Sequence, residues 1–135
     1  MVCPFCDFTC EGCQNKHLVD CEVKEFSVED LVYEYKSNPF YDGVTLGGLE
    51  VTFSGDDFID DFIDFIKKAG IKNVCIYTRE SETNPYILRI LKGLHLVCNL
   101  YIKTGRYISC LPSLKVKVMD WCIELGSSNQ KFKRL

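Results

Sequence analysis

The chain predicts an α/β fold built on a mostly parallel sheet. Short β-branched or apolar runs alternate with amphipathic stretches, the rhythm of βαβ units. One stretch, from Asp56 to Ala69, sets apolar residues at helical spacing against a row of aspartates. The strand-like run 94–102 is apolar almost throughout, as in a strand covered on both faces.

The elements follow in order. Ser27 before Val28-Glu29-Asp30-Leu31 is an N-cap with acids in the first helical turn. Val28, Leu31, Val32 and Tyr35 share one face, and Asn38-Pro39 ends the helix. Residues 43–46 are a short strand running into Gly47-Gly48. The next helix buries Phe58, Ile59, Phe62, Ile63, Phe65, Ile66 and Ala69, keeps Asp57, Asp60, Asp61 and Asp64 in water, and stops at Gly70. Residues 73–78 predict a buried strand and 85–92 a helix stopped by Gly93. Residues 94–102 predict a further strand, with His95 at its start. In parallel sheets chemistry gathers at the carboxyl ends of strands. Gly47-Gly48, Thr78-Arg79 and Lys103-Thr104-Gly105 should therefore share one rim. A single domain over 1–135 is expected, with a cysteine-loop region at 1–25, βα units at 26–102 and a C-terminal segment at 103–135.

The 135 residues suffice for a hydrophobic core without staples, and 47% hydrophobic with 26% charged residues is ordinary for a globular protein. A net charge of −3 without a basic block argues against a nucleic-acid binder. The basic tail 131–134 reads as a solvated terminus. No leader and no membrane-length apolar run is visible, so a cytoplasmic protein is expected. There disulfides are disfavoured, and an odd count of nine cysteines also speaks against full pairing. Cys75 and Cys98 read as small buried hydrophobes. No Ser–His–Asp set, P-loop or metalloprotease motif is present.

Cys6, Cys10 and Cys13 stand as C-x3-C-x2-C. Three thiolates on a cubane cluster leave one iron without a protein ligand, free to bind a substrate. Zinc is the rival. Cys3 and Cys6 with Cys10 and Cys13 make two C-x2-C pairs, though the three-residue gap between pairs is tight for a closed site. Cys10, Cys13, His17 and Cys21 form a second arrangement close to a zinc knuckle, but acids surround it.

With Gln14-Asn15 after the cysteines, Gly47-Gly48-Leu49-Glu50 after a strand and Gly126-Ser127-Ser128-Asn129-Gln130 near the end, the chain resembles radical SAM enzymes. Among them it is most similar to activating enzymes of glycyl radical enzymes, closest to the activating protein of anaerobic ribonucleoside-triphosphate reductase. The resemblance implies a compact partial (β/α) barrel whose first strand, before Cys6, is missing or truncated. It implies a [4Fe–4S] cluster on Cys6, Cys10 and Cys13, and S-adenosyl-L-methionine bound to the open iron. Reductive cleavage to a 5′-deoxyadenosyl radical would then install a glycyl radical on the reductase catalytic subunit, with an electron donor such as flavodoxin; the cofactor carries the difficult chemistry. Gly47 and Gly48 would admit the methionyl ammonium close to the backbone. Glu50 would offset that charge or fix the turn, and Lys103 would pair with the methionyl carboxylate. Asn15, Ser128 and Asn129 join the cofactor-binding set by motif alone. The alternatives are a zinc-binding interaction module and a degenerate, non-catalytic homologue.

Overall fold

A computed structural model describes residues 1–3, 5–7, 10–119 and 121–135, and of Trp121 the backbone alone. Its elements are β1 (Val2–Cys3), α1 (Val28–Ser37), β2 (Val44–Gly48), α2 (Gly55–Ala69), β3 (Asn73–Tyr77), α3 (Pro85–Leu94), β4 (Asn99–Thr104), β5 (Leu114–Val118), β6 (Trp121–Leu125) and β7 (Lys131–Arg134). Two short 3-10 turns, Lys16–Asp20 and Val51–Phe53, are added. The protein is α/β, with a five-stranded sheet in the order β1-β2-β3-β4-β7. The first four strands run parallel and β7 joins β4 antiparallel, so β1 and β7 are the open edges.

Alternation along the strands sorts the sheet into two faces. Leu46, Val74, Ile76, Leu100 and Ile102 are buried in one core with Ile59, Phe62, Phe65 and Ile66 of α2 and Ile87, Ile90 and Leu94 of α3. Each such side chain contributes about 1.5–3 kcal/mol by leaving water. Helix α1 lies further out: a capping box joins Ser27 and Asp30, and its Val28, Leu31, Val32 and Tyr35 are only partly buried. Helix α2 ends at Gly70 in the left-handed conformation. No helix among the described residues is long and apolar enough to cross a membrane.

The structure changes several sequence expectations. A first strand does stand before Cys6: Val2 and Cys3 pair in parallel with Gly47 and Gly48. Of the two expectations, missing or truncated, the truncated strand is the one found. The glycine pair lies within β2 instead of following it. Gly93 does not stop α3, which runs on to Leu94. Its missing side chain lets α2 and α3 approach, because a Cβ there would sit 2.6 Å from Ile63 Cδ1. Residues 94–98 are therefore not strand. Leu94 continues the stripe begun by Ile87 and Ile90, His95 is the exposed C-cap, Leu96 is 85% exposed, and β4 begins only at Asn99. Cys75 and Cys98 are half-buried, not fully enclosed.

The C-terminal segment carries more order than its composition suggests. The tail is the edge strand β7, where Phe132 stacks on Tyr101 at 6.3 Å and the Arg134 guanidinium lies 6.0 Å from the Tyr101 centroid. Lys133 pairs with Glu82. The hairpin β5–β6, which no sequence pattern announced, forms a separate two-stranded sheet.

Candidate functional site

The carboxyl ends of β2, β3 and β4 open onto a cavity of about 410 Å³. Gly48, Thr78, Arg79, Lys103 and Gly105 all border it, as a shared rim requires. Cys6, Cys10, Cys13 and Asn15 close one side, and Ile123, Glu124 and Leu125 of the hairpin close another.

The cysteine loop is tied to the sheet at three points. Glu50 N–H donates to Phe5 O at 3.0 Å, Asn15 Nδ2 donates to Gly48 O at 2.7 Å, and Asp7 forms an ion pair with Arg79. That pair, with Glu80 beside it, holds the Arg79 guanidinium firmly charged despite its partial burial. The ring of Phe53 lies 5.2 Å from the Arg79 guanidinium carbon. Strand topology alone predicts Arg79 on the rim, and no residue pattern marks its partner Asp7.

Gly48 has φ +86°, and a Cβ on it would come within 2.6 Å of Val2 Cγ1. Only glycine fits where β1 presses on the end of β2. Gly47 meets the Tyr77 side chain instead and does not line the cavity.

Glu50 is 4% exposed and its oxygens are occupied from within. Thr78 Oγ1 donates to Oε1 at 2.6 Å and Arg79 N–H to Oε2 at 2.7 Å; Thr52 adds two longer contacts at 3.4 and 3.3 Å. Its contacts fix the turn after β2. Buried carboxylates persist when donors satisfy them in this way.

Lys103 lies on the face of β4 opposite the core, with its ammonium 5.3 Å from the Tyr77 centroid. Burial lowers its pKa, and the Cys75 and Cys13 thiols partly oppose that shift. Among the described residues no carboxylate pairs with it, so an anionic group entering the cavity would meet a desolvated cation.

The C-terminal signature divides. Ser127 and Gln130 are buried, whereas Ser128 and Asn129 are exposed and do not reach the cavity. Gly126 and Gln130 border it in their place. Gln130 Nε2 donates to Gly105 O at 3.0 Å and Asn129 Nδ2 to Arg106 O at 2.8 Å, so the segment clasps the loop after β4.

Cys6, Cys10 and Cys13 are free and half-buried. Among the described residues no three His, Cys, Asp or Glu side chains already converge at metal-holding spacing; the three thiols share the cavity wall. Cys3 is fully buried in the core, and burial, helped by the Glu50 carboxylate, pushes its thiol up to about 12. Cys21 and His17 are exposed on the short turn beyond Asn15. Comparisons with protein-family models, curated proteins and solved structures find no match to this chain.

Proposed function

We propose that the protein is a radical SAM activase of the glycyl radical type, acting on an anaerobic ribonucleoside-triphosphate reductase from a partial barrel sheet. One observation carries the reading: residues of three separated sequence motifs, the cysteine loop, Gly48 with Glu50, and Gly126 with Gln130, meet around one cavity at the strand ends. The donor chemistry suits an iron–sulfur cluster: three free thiols on one loop would hold three irons and would leave one without a protein ligand. When bound, such a cluster supplies one-electron cleavage of S-adenosylmethionine, with hydrogen then taken from a backbone glycine of the reductase.

The chain's own residues bind, orient and enclose. Asn15 and the Asp7–Arg79 pair hold the cysteine loop against the sheet. Gly48 leaves its strand end free of a side chain, and Glu50 fastens the segment after β2 to the one after β3. Lys103 offers a cation for the ligand's carboxylate. Burial of Cys3 in the core removes it from a four-thiolate zinc set, which favours the three-cysteine reading.

Anaerobic reconstitution with iron and sulfide, followed by metal analysis and visible absorption, tests the reading. Iron and sulfide with a charge-transfer band are expected, and Cys10→Ala should abolish S-adenosylmethionine cleavage. Stoichiometric zinc with no visible absorption, or unchanged cleavage in Cys10→Ala, would sink it.

A further inference from the structure

We propose that Tyr107 is a ligand-contacting residue, the surface on which the planar heterocycle of a nucleoside-bearing ligand stacks inside the cavity. The inference rests on reading the cavity as an S-adenosylmethionine site and adds the residue that selects for the ligand's base.

Among the described residues two aromatic side chains border the cavity, Tyr77 and Tyr107. The ammonium of Lys103 already lies over Tyr77. Tyr107 has no aromatic or cationic partner among the described residues, and it is half-buried. Its ring fills space that Gly126 leaves open and lies within ordinary contact distance of Gly12. A Cβ on Gly126 would stand 3.2 Å from Tyr107 Cδ2 and 3.3 Å from Cε2, and one on Gly12 would stand 3.9 Å from Cε1. The ring thus bridges the cysteine loop and the C-terminal segment.

Its backbone is held on both sides. Gly105 O accepts from Gln130, Arg106 O accepts from Asn129, and Ile108 N–H donates to Ser127 Oγ at 3.2 Å. The Gly-Ser-Ser-Asn-Gln segment therefore acts on the ligand through Tyr107, which accounts for a motif whose Ser128 and Asn129 lie outside the cavity. A ring fixed before binding loses little entropy when a base stacks on it.

The test uses the full chain, reconstituted anaerobically, with calorimetric titration of S-adenosylmethionine, adenosine and methionine. Tyr107→Leu should weaken S-adenosylmethionine and adenosine by roughly tenfold, the scale of losing one base-stacking contact. Tyr107→Phe should keep parental affinity, and methionine binding should be the same in all three proteins. Parental adenosine affinity in Tyr107→Leu, equal losses for adenosine and methionine, or the same loss of adenosine in Tyr107→Phe as in Tyr107→Leu would overturn the assignment. If the parent takes zinc instead of a cluster yet binds adenosine in a Tyr107-dependent way, the cluster reading falls and the Tyr107 assignment stands. If a cluster forms but adenosine does not bind, the reverse holds.

Discussion

Replacing Glu50 by Ala should unfold the rim before it touches any chemistry. The carboxylate accepts two short bonds, from Thr78 Oγ1 at 2.6 Å and Arg79 N–H at 2.7 Å; the first donor would be left buried and the second half-buried. Hydrogen bonds to a charged group contribute about 1.5–3 kcal/mol each, while the two Thr52 contacts are too long to add much. The loss is then about 3–6 kcal/mol, a large part of the ~5–15 kcal/mol that typically holds a domain together. At an unfolding entropy of about 0.3 kcal/mol/K for a chain of this length, Tm should fall by roughly 10–20 °C. Glu50→Gln keeps an acceptor for Arg79 N–H and can turn its amide toward the Thr78 oxygen, so its loss should be nearer 1–2 kcal/mol. Thermal melts of the metal-free protein followed by circular dichroism measure both. A Glu50→Ala melt within about 2 °C of the parent would refute the brace and return Glu50 to a ligand-facing role.

Gly93→Ala should destabilise despite the better helix former, because its Cβ would lie 2.6 Å from Ile63 Cδ1 and overpacking costs about 1–3 kcal/mol. Trimming the neighbour in a Gly93→Ala/Ile63→Val double variant should recover part of that loss in urea melts, and strict additivity would contradict the close approach. The Cys3 thiol is held protonated to about 12 against 9.0 when free. Above pH 9 the unfolded chain gives up this proton first, so stability present at neutral pH is lost as pH rises toward the folded value. Between about pH 8 and pH 10.5 the parent should lose about 2 kcal/mol more than Cys3→Val, and parallel pH slopes would show that Cys3 is not buried as described.

Helices were legible where period, cap and stop agreed. Ser27 with Asp30 announced α1, and the aspartate row opposite Phe62 and Ile66 announced α2 up to Gly70. The errors fell where one residue type serves two ends. Gly93 looks like a stop, yet its missing side chain answers to Ile63 on a neighbouring helix, a contact distant in sequence. The apolar run after it could be helix or strand by composition, and burial of Leu94 with Ile87 and Ile90 decided for helix. The tail 131–134 became a strand because β4 offered an open edge, which no local pattern records.

The sequence alone determined the alternation of strands and helices, the crowding of Cys6, Cys10 and Cys13 on one loop, and the rim that Gly48, Arg79 and Lys103 share. These depend on spacing and on the rule that parallel strands end together. Only the tertiary structure decided which of those residues face the cavity. It turned Glu50 inward onto Thr78 and Arg79, carried Cys3 into the core, left Ser128 and Asn129 outside, and wedged Tyr107 against Gly126. Direction and burial are set by packing between segments far apart in the chain, and packing is not written at any single position.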